Sequence, residues 1–289
     1  IGEGFNTTTA HRWEAVDING WVILNNGVDL PVSYRVEDYA VTPLYELREN
    51  GIVSVGTIAA YNSMLVCADT TEIRDDYFDL VLGGVDPYGP VSSDYTIRVQ
   101  YRIVVSNLGD PTSFGSNGNA SVSANGTVIH WTTFRPSWAV AGAEITIAGA
   151  GTLGGNLTTT IISSGLLTSI IAAPAVTAVT SALVLGTAFI GGTAGRYDLQ
   201  DDGSQILKML SLETRLVVYR NKSIFLGSYS GTEGNPLSFE KVYEGDKTLY
   251  YRYTLVSVDG LYHLFAGANS ILRFDLTTRS PAEIDPLEL

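Results

Sequence analysis

The stretch Val16-Asp17-Ile18-Asn19-Gly20-Trp21-Val22-Ile23-Leu24-Asn25-Asn26-Gly27 places an apolar strand between two turn signals. Asn-Gly closes hairpins because both residues tolerate positive φ, and the twist of the resulting turn matches that of the strands it joins. The continuous apolar run that follows reads as a strand buried on both faces. The same order returns as Ile58-Ala59-Ala60-Tyr61-Asn62-Ser63-Met64-Leu65-Val66-Cys67-Ala68-Asp69. It returns again as Leu212-Glu213-Thr214-Arg215-Leu216-Val217-Val218-Tyr219-Arg220-Asn221-Lys222-Ser223-Ile224-Phe225-Leu226-Gly227. A fourth copy, Leu255-Val256-Ser257-Val258-Asp259-Gly260-Leu261-Tyr262-His263-Leu264-Phe265-Ala266-Gly267, is followed by the strand Ser270-Ile271-Leu272-Arg273-Phe274-Asp275-Leu276. The first two copies, and the last two, lie about 40 to 45 residues apart, the period of a four-stranded propeller blade. The expected fold is all-β: propeller-like repeats of antiparallel hairpins, with a β-sandwich of the same hairpins as the rival arrangement.

Composition agrees. The chain of 289 residues carries 30 Gly and 16 Tyr, with many Val, Ile and Thr, residues that suit turns and pleated strands. Its length is ample for a continuous apolar core. Seventeen basic residues against thirty acidic ones give a net charge of −13, which repels a phosphate backbone. Specific nucleic-acid binding is therefore not expected, whereas an acidic wall suits a conduit through which DNA slides without sticking. Cys67 is the only cysteine, so an intrachain disulfide and a thiolate zinc cage are both excluded. Within Met64-Leu65-Val66-Cys67-Ala68 it reads as a small buried hydrophobe. No basic-then-apolar leader follows Ile1, and a signal peptide is not expected.

Three blocks separate by vocabulary. Residues 145–195 contain no charged side chain, and there Gly, Ala, Thr and Ser alternate with Ile, Leu and Val. A membrane span needs about 20 uninterrupted apolar residues. The best candidate, 176–190, is shorter, holds Thr177, Thr180, Ser181, Gly186 and Thr187, and is preceded by Pro174. No membrane span is expected. Alternation such as Ile145-Thr146-Ile147 and Leu157-Thr158-Thr159-Thr160-Ile161 instead reads as strands of a small Thr-faced β-sandwich. The expected organisation is a propeller-like domain at 1–137 and 196–289, interrupted by an inserted sandwich module at 138–195.

Signs of chemistry are sparse. His11, His130 and His263 stand apart in sequence, without the spacing of a histidine metal site, and each reads as structural. Carboxylates gather at Asp69, Glu72, Asp75, Asp76 and Asp79, and again at Asp198, Asp201 and Asp202 before Gly203. Both groups fall in turn-rich stretches where Asp bonds the local backbone, and the second departs from the calcium-loop pattern. A glycosidase pair of acids has to be assembled in space. The expectation is no enzyme, no cofactor and no metal. The most aromatic segment, Ile129-His130-Trp131-Thr132-Thr133-Phe134-Arg135-Pro136-Ser137-Trp138, marks a candidate partner interface carried by Trp131, Phe134, Arg135 and Trp138.

His11-Arg12-Trp13-Glu14-Ala15-Val16-Asp17-Ile18-Asn19-Gly20-Trp21, Asn25-Asn26-Gly27-Val28-Asp29-Leu30-Pro31 and Thr42-Pro43-Leu44-Tyr45-Glu46-Leu47-Arg48-Glu49 resemble a family of virion structural proteins of tailed bacteriophages. Leu216-Val217-Val218-Tyr219-Arg220-Asn221-Lys222-Ser223-Ile224 and Tyr250-Tyr251-Arg252-Tyr253-Thr254-Leu255 follow the same pattern. The uncharged block resembles a small β module common in phage tail and fibre proteins. The resemblance implies a structural role in the virion tail, as a nozzle, hub or tube-associated protein connected with DNA ejection. It implies a homo-oligomeric ring in contact with other tail proteins. A host receptor- or glycan-binding appendage is the alternative, with a host surface glycan as its partner, and a glycan-degrading tail enzyme is the third reading.

Overall fold

The Asn19-Gly20 turn forms as its residues suggest, at φ 53° and 82°, with Ile18 opposite Trp21. In the computed structural model, residues 12–284 are described except 36, 38, 75–76, 78–80, 82–88, 115–117, 132–140, 143, 148, 166–167, 187–193, 202 and 233–234. The turn joins the first two strands of a blade, β1 (Glu14–Ile18), β2 (Trp21–Asn25), β3 (Val32–Arg35) and β4 (Ala40–Pro43), all antiparallel and in that order. A short helix, α1 (Tyr45–Glu49), leads to β5 (Ile52–Tyr61), β6 (Met64–Ile73) and β7 (Thr96–Val105) of a second blade. The chain then builds a closed six-stranded barrel from β8 (Gly118–Val122), β9 (Val128–Trp131), β10 (Glu144–Ile147), β11 (Leu157–Ser164), β12 (Thr168–Ile171) and β13 (Val179–Gly186). It returns as β14 (Gly195–Asp198), which pairs with β7 to complete the second blade. The third blade is β15 (Ile206–Leu212), β16 (Arg215–Arg220), β17 (Ser223–Thr232) and β18 (Asn235–Glu244). The fourth is β19 (Val256–Val258), β20 (Tyr262–Ala266), β21 (Ile271–Phe274) and β22 (Ala282–Glu283). Each of the four hairpin copies falls in a different blade. The fold is all-β and propeller-like.

The blades stack face to face, and the period of two along a strand lets one strand serve two cores. From β6, Met64, Val66 and Ala68 pack with Met209, Leu216 and Val218 of the third blade. The intervening Leu65 and Cys67 pack with Ile18 and Ile23 of the first blade and with Leu47 of α1. On the far side of the third blade, Val217, Tyr219 and Ile224 meet Phe265, Leu272 and Phe274 of the fourth. Each such side chain taken out of water contributes roughly 1.5–3 kcal/mol, which explains the unbroken apolar runs. Cys67 is fully buried, and burial pushes its thiol pKa up.

The inserted strands close into a barrel, where a sandwich was expected from the alternation. Register shifts between Ile161 and Ser163 and between Val179 and Ala182 bend β11 and β13, and such bulges let a sheet curl on itself. Its core holds Ile129, Trp131, Ile145, Ile147, Ile161 and Ile171. The barrel therefore draws strands from residues 118–131, ahead of the expected start at 138. Among the described residues no helix is long and apolar enough to cross a membrane.

Both ends of this excursion meet at Asn107. Its N–H donates to the Ser113 carbonyl at 2.7 Å, and its Oδ1 accepts from the Ala194 N–H at 2.9 Å. Phe114, the next residue, is still buried in the core between the first two blades. Two chain ends held by one residue need little linker to rejoin. Replacing residues 115–193 by a short Gly-Ser loop is expected to leave the blades folded, measured as a retained cooperative urea transition; loss of that transition would show that the barrel props the blades.

The third and fourth blades also share a buried polar contact. His263 Nε2 lies 3.2 Å from the Ser211 carbonyl, and its Nδ1 lies 2.9 Å from the Tyr219 hydroxyl. A carbonyl only accepts, so Nε2 carries the proton and Nδ1 receives the Tyr219 O–H. Burial lowers the His263 pKa from 6.5 to about 4, against the opposing hydrogen bond to Ser211. The unfolded chain thus binds this proton at a higher pH than the native one does. The resulting stabilisation is complete above pH 6.5 and is lost as pH falls toward 4. Chemical denaturation across this window should show a loss of about 3 kcal/mol from this group, and His263→Gln should flatten the slope. An identical slope in the variant would refute the assignment.

Candidate functional site at the centre of the blade arc

The strands nearest the centre lie side by side, β1 against β5 and β5 against β15. Polar side chains join them. Glu14 of β1 accepts from the Thr57 hydroxyl at 3.0 Å and the Ile58 N–H at 2.9 Å, and it pairs with Lys208 of β15 at 2.6 Å. One buried carboxylate therefore ties three blades together.

Asp69 does the same at the other side of β5. It sits at φ 58°, at a register shift between β6 and β7, a conformation uncommon outside glycine. Its side chain is fully buried and accepts from Arg98 Nε at 2.8 Å and Arg98 Nη2 at 2.5 Å in bidentate geometry. Gln205 Nε2 reaches it at 3.0 Å and Arg252 Nη2 at 3.3 Å, while Arg252 Nη1 donates to the Gly56 carbonyl at 3.1 Å. The second, third and fourth blades converge on this carboxylate. Gly56 leaves it room: a Cβ there would stand 2.8 Å from Asp69 Cβ.

Two clefts open at opposite ends of the central strands. One, of about 590 Å³, lies by the hairpin turns and is lined by residues including Asp17, Asn62, Glu213, Arg215 and Tyr229 of the first three blades. The other, of about 660 Å³, lies at the Asp69 end and takes lining from all four. The first blade contributes Asn26, Gly27 and Val28, and the second contributes Ser54, Gly56, Asp69, Thr71 and Arg98. Leu207 comes from the third, and Tyr250, Tyr251, Arg252 and Tyr253 come from the segment leading into the fourth. The Asn26 loop is braced internally, since Asn26 Oδ1 accepts from the Val28 and Asp29 N–H groups at 3.0 and 2.9 Å. A concave site built from every repeat, with convergent polar groups, is the preferred place for a ligand. Its chemistry combines fixed guanidinium donors with aromatic rings.

Of the candidate residues read from the sequence, Asp69 lies in this site; among the described residues the expected interface does not coincide with it. Trp131 is only 5% exposed in the barrel core, where its Nε1 donates to Ser169 Oγ at 3.0 Å. Phe134, Arg135 and Trp138, like His11, Asp75, Asp76, Asp79 and Asp202, lie outside the described residues. Asp198 and Asp201, expected to bond the local backbone of a turn, are ion-paired instead. Arg102 holds Asp198 bidentately at 2.6 and 2.7 Å, and this hydrogen bonding lowers its carboxyl pKa. Asp201 pairs with the buried Arg220 and with Lys241, each at 2.8 Å. Glu72 is enclosed by Arg102 at 2.5 Å and by Arg196. Asp69 ends the second hairpin copy, yet nothing local in the sequence announces its partners.

No known protein family matches the chain, and no curated protein matches it. Among solved structures it is similar to phage phi92 endosialidase, at 11% identity and a TM-score of 0.36, over 95% of this chain and 46% of that one. It is also similar to dihydro-heme d1 dehydrogenase NirN in complex with DHE, at 12% identity and a TM-score of 0.31, over 96% and 46%. A third similarity is to a chain of a mitotic checkpoint complex, at 13% identity and a TM-score of 0.22, over 93% and 78%. The chain spans less than half the length of the first two. Against the expectation of no enzyme, the first of these structures is that of an endosialidase, an enzyme.

Removing the charge of a buried, multiply bonded carboxylate costs about 1–3 kcal/mol where its guanidinium partners, like the half-exposed Arg98, stay in reach of water. Asp69→Asn is expected to lose stability on this scale. Gly56→Ala, by crowding the carboxylate, should lose about 1–3 kcal/mol. Urea midpoints equal to the parent's in both variants would show that Asp69 does not hold the blades together.

Proposed function

We propose that the chain is a structural protein of a tailed-phage virion, located in the tail, where copies join through their end blades into a symmetric ring. The observation that carries this reading is the pair of faces left at the ends of the arc. The face of the first blade turned away from the second presents Val22, Leu24 and Tyr34, half-buried, with Val41 54% exposed. The face of the fourth blade turned away from the third presents Leu264 and Tyr262, half-buried, with Val256 51% and Ile271 44% exposed. Among the described residues no buried apolar cluster joins these two blades.

Stacking the fourth blade of one copy on the first blade of the next would bury both rows. It would continue the packing already present between neighbours within the chain. Such a contact joins two different surfaces, which closes into a ring when the rotation allows. Asp17 is exposed on the first face, and Arg273, stacked on Tyr262 and 3.4 Å from Asp275, lies on the fourth. The resemblance of residues 11–21, 25–31 and 42–49 to tailed-phage virion proteins supplies the context, and the barrel is carried on one blade as an outlying module.

The purified chain should form a ring of defined copy number by mass photometry and electron microscopy. Ile271→Lys should give monomers with unchanged melting, and antibody to the chain should label tails of intact particles. A monomer at every concentration, together with unlabelled tails, would overturn the reading.

A further inference from the structure

We propose that the cleft at the Asp69 end is a binding site for a carboxylated glycan, gripped by Arg98 and stacked on the tyrosines of residues 250–253. This site does not depend on the ring. Charge gives the first indication. In a chain of net charge −13, the described lining of this cleft holds two arginines and a single carboxylate. That carboxylate, Asp69, has no exposed side-chain surface, whereas the Arg98 side chain is 49% exposed. The surface offered to a ligand is therefore cationic within an otherwise acidic protein, and it favours an anion.

The arrangement of donors narrows the anion's geometry. Arg98 commits Nε and Nη2 to Asp69, and Nη1 has no hydrogen-bond partner among the described residues. A guanidinium already clamped in place loses little freedom on receiving a second oxyanion, and its planar fork suits a carboxylate. Arg252 lies behind it, held by Asp69 and the Gly56 carbonyl, so the positive charge has a rigid base.

The aromatic rings narrow the rest of the ligand. Tyr250 and Tyr251 are 59% and 58% exposed and stand edge to face at 4.8 Å, and Tyr253 is 43% exposed beneath Arg12. Tyr250 and Tyr251, part-exposed beside Arg98, present apolar faces for the C–H side of a pyranose and phenols for its hydroxyls, while Arg12 covers one face of Tyr253 and adds a further exposed cation. A peptide of acidic residues alone would use the guanidinium but has no ring to match these faces. A cleft of about 660 Å³ that opens to solvent accommodates a short stretch of a longer chain.

The test is an array of carboxylated, sulfated and neutral glycans probed with the full chain, followed by calorimetry with the strongest carboxylated ligand. Binding to carboxylated glycans is expected, weakened by salt and abolished when the ligand's carboxyls are methyl-esterified. Tyr251→Ala, at an exposed position, should keep the parent's melting temperature and raise Kd by about tenfold or more. Arg98→Ala should abolish binding, and its melting is followed in parallel because Asp69 loses a partner. The proposal is overturned if no carboxylated glycan binds at millimolar concentration, or if the esterified ligand binds equally well. It is likewise overturned if Tyr251→Ala leaves Kd unchanged, or if a polyglutamate peptide binds more tightly than any glycan.

Discussion

A strand whose two faces belong to two different cores is the constraint from which the architecture follows. Residues 64–68 of β6 alternate between the first blade and the third, so the second blade has no solvent-facing side over that length. Residues 216–219 of β16 alternate in the same way between the second blade and the fourth. Blades built like this are stable only in a stack. Apolar contacts between sheets are non-directional, however, and allow sliding. The polar groups near the centre remove that freedom, since Glu14 and Asp69 each bond to backbone or side-chain groups of fixed position across blade boundaries.

Buried charges of this kind add less to net stability than their short contacts suggest, because desolvation offsets most of the attraction. Their effect is on geometry. The Asp69 network sets how the second, third and fourth blades approach, and the same approach shapes the cleft beside it. The guanidiniums that neutralise the carboxylate are the groups exposed to a ligand, so registration of the blades and presentation of the binding surface depend on one set of bonds. The barrel is independent of this arrangement, since its core is separate and its two ends return to Asn107.

Much of the fold was legible because its signals are local. Asn19-Gly20 closes a hairpin by its own φ preferences, and each unbroken apolar run names a central strand. The limits of the barrel were harder to read. Absence of charge marked residues 145–195, but Ala120, Val122, Ile129 and Trp131 fill the same barrel core from a stretch whose composition matches the blades. Trp131 looked like an interface residue because aromatic segments also mark contact surfaces, and composition does not say which way a ring points. Of the central site, Asp69 stood out only as one member of a carboxylate cluster, and its partners did not. Arg98 and Arg252 lie 29 and 183 residues from Asp69, and only the closing of blades brings them together. The tyrosines at 250–253 were visible as a cluster, without any sign that they border a cleft.

Native-state hydrogen exchange on the intact chain tests the stacking most directly, because a strand enclosed by two cores opens only when its neighbours separate. The amides of β5, β6, β16 and β17 are expected to exchange slowest and at one common opening free energy, with the barrel strands forming a separate group. Exchange of β6 at the rate of the exposed hairpin turns, or distinct opening energies for the second and third blades, would contradict a core shared between them.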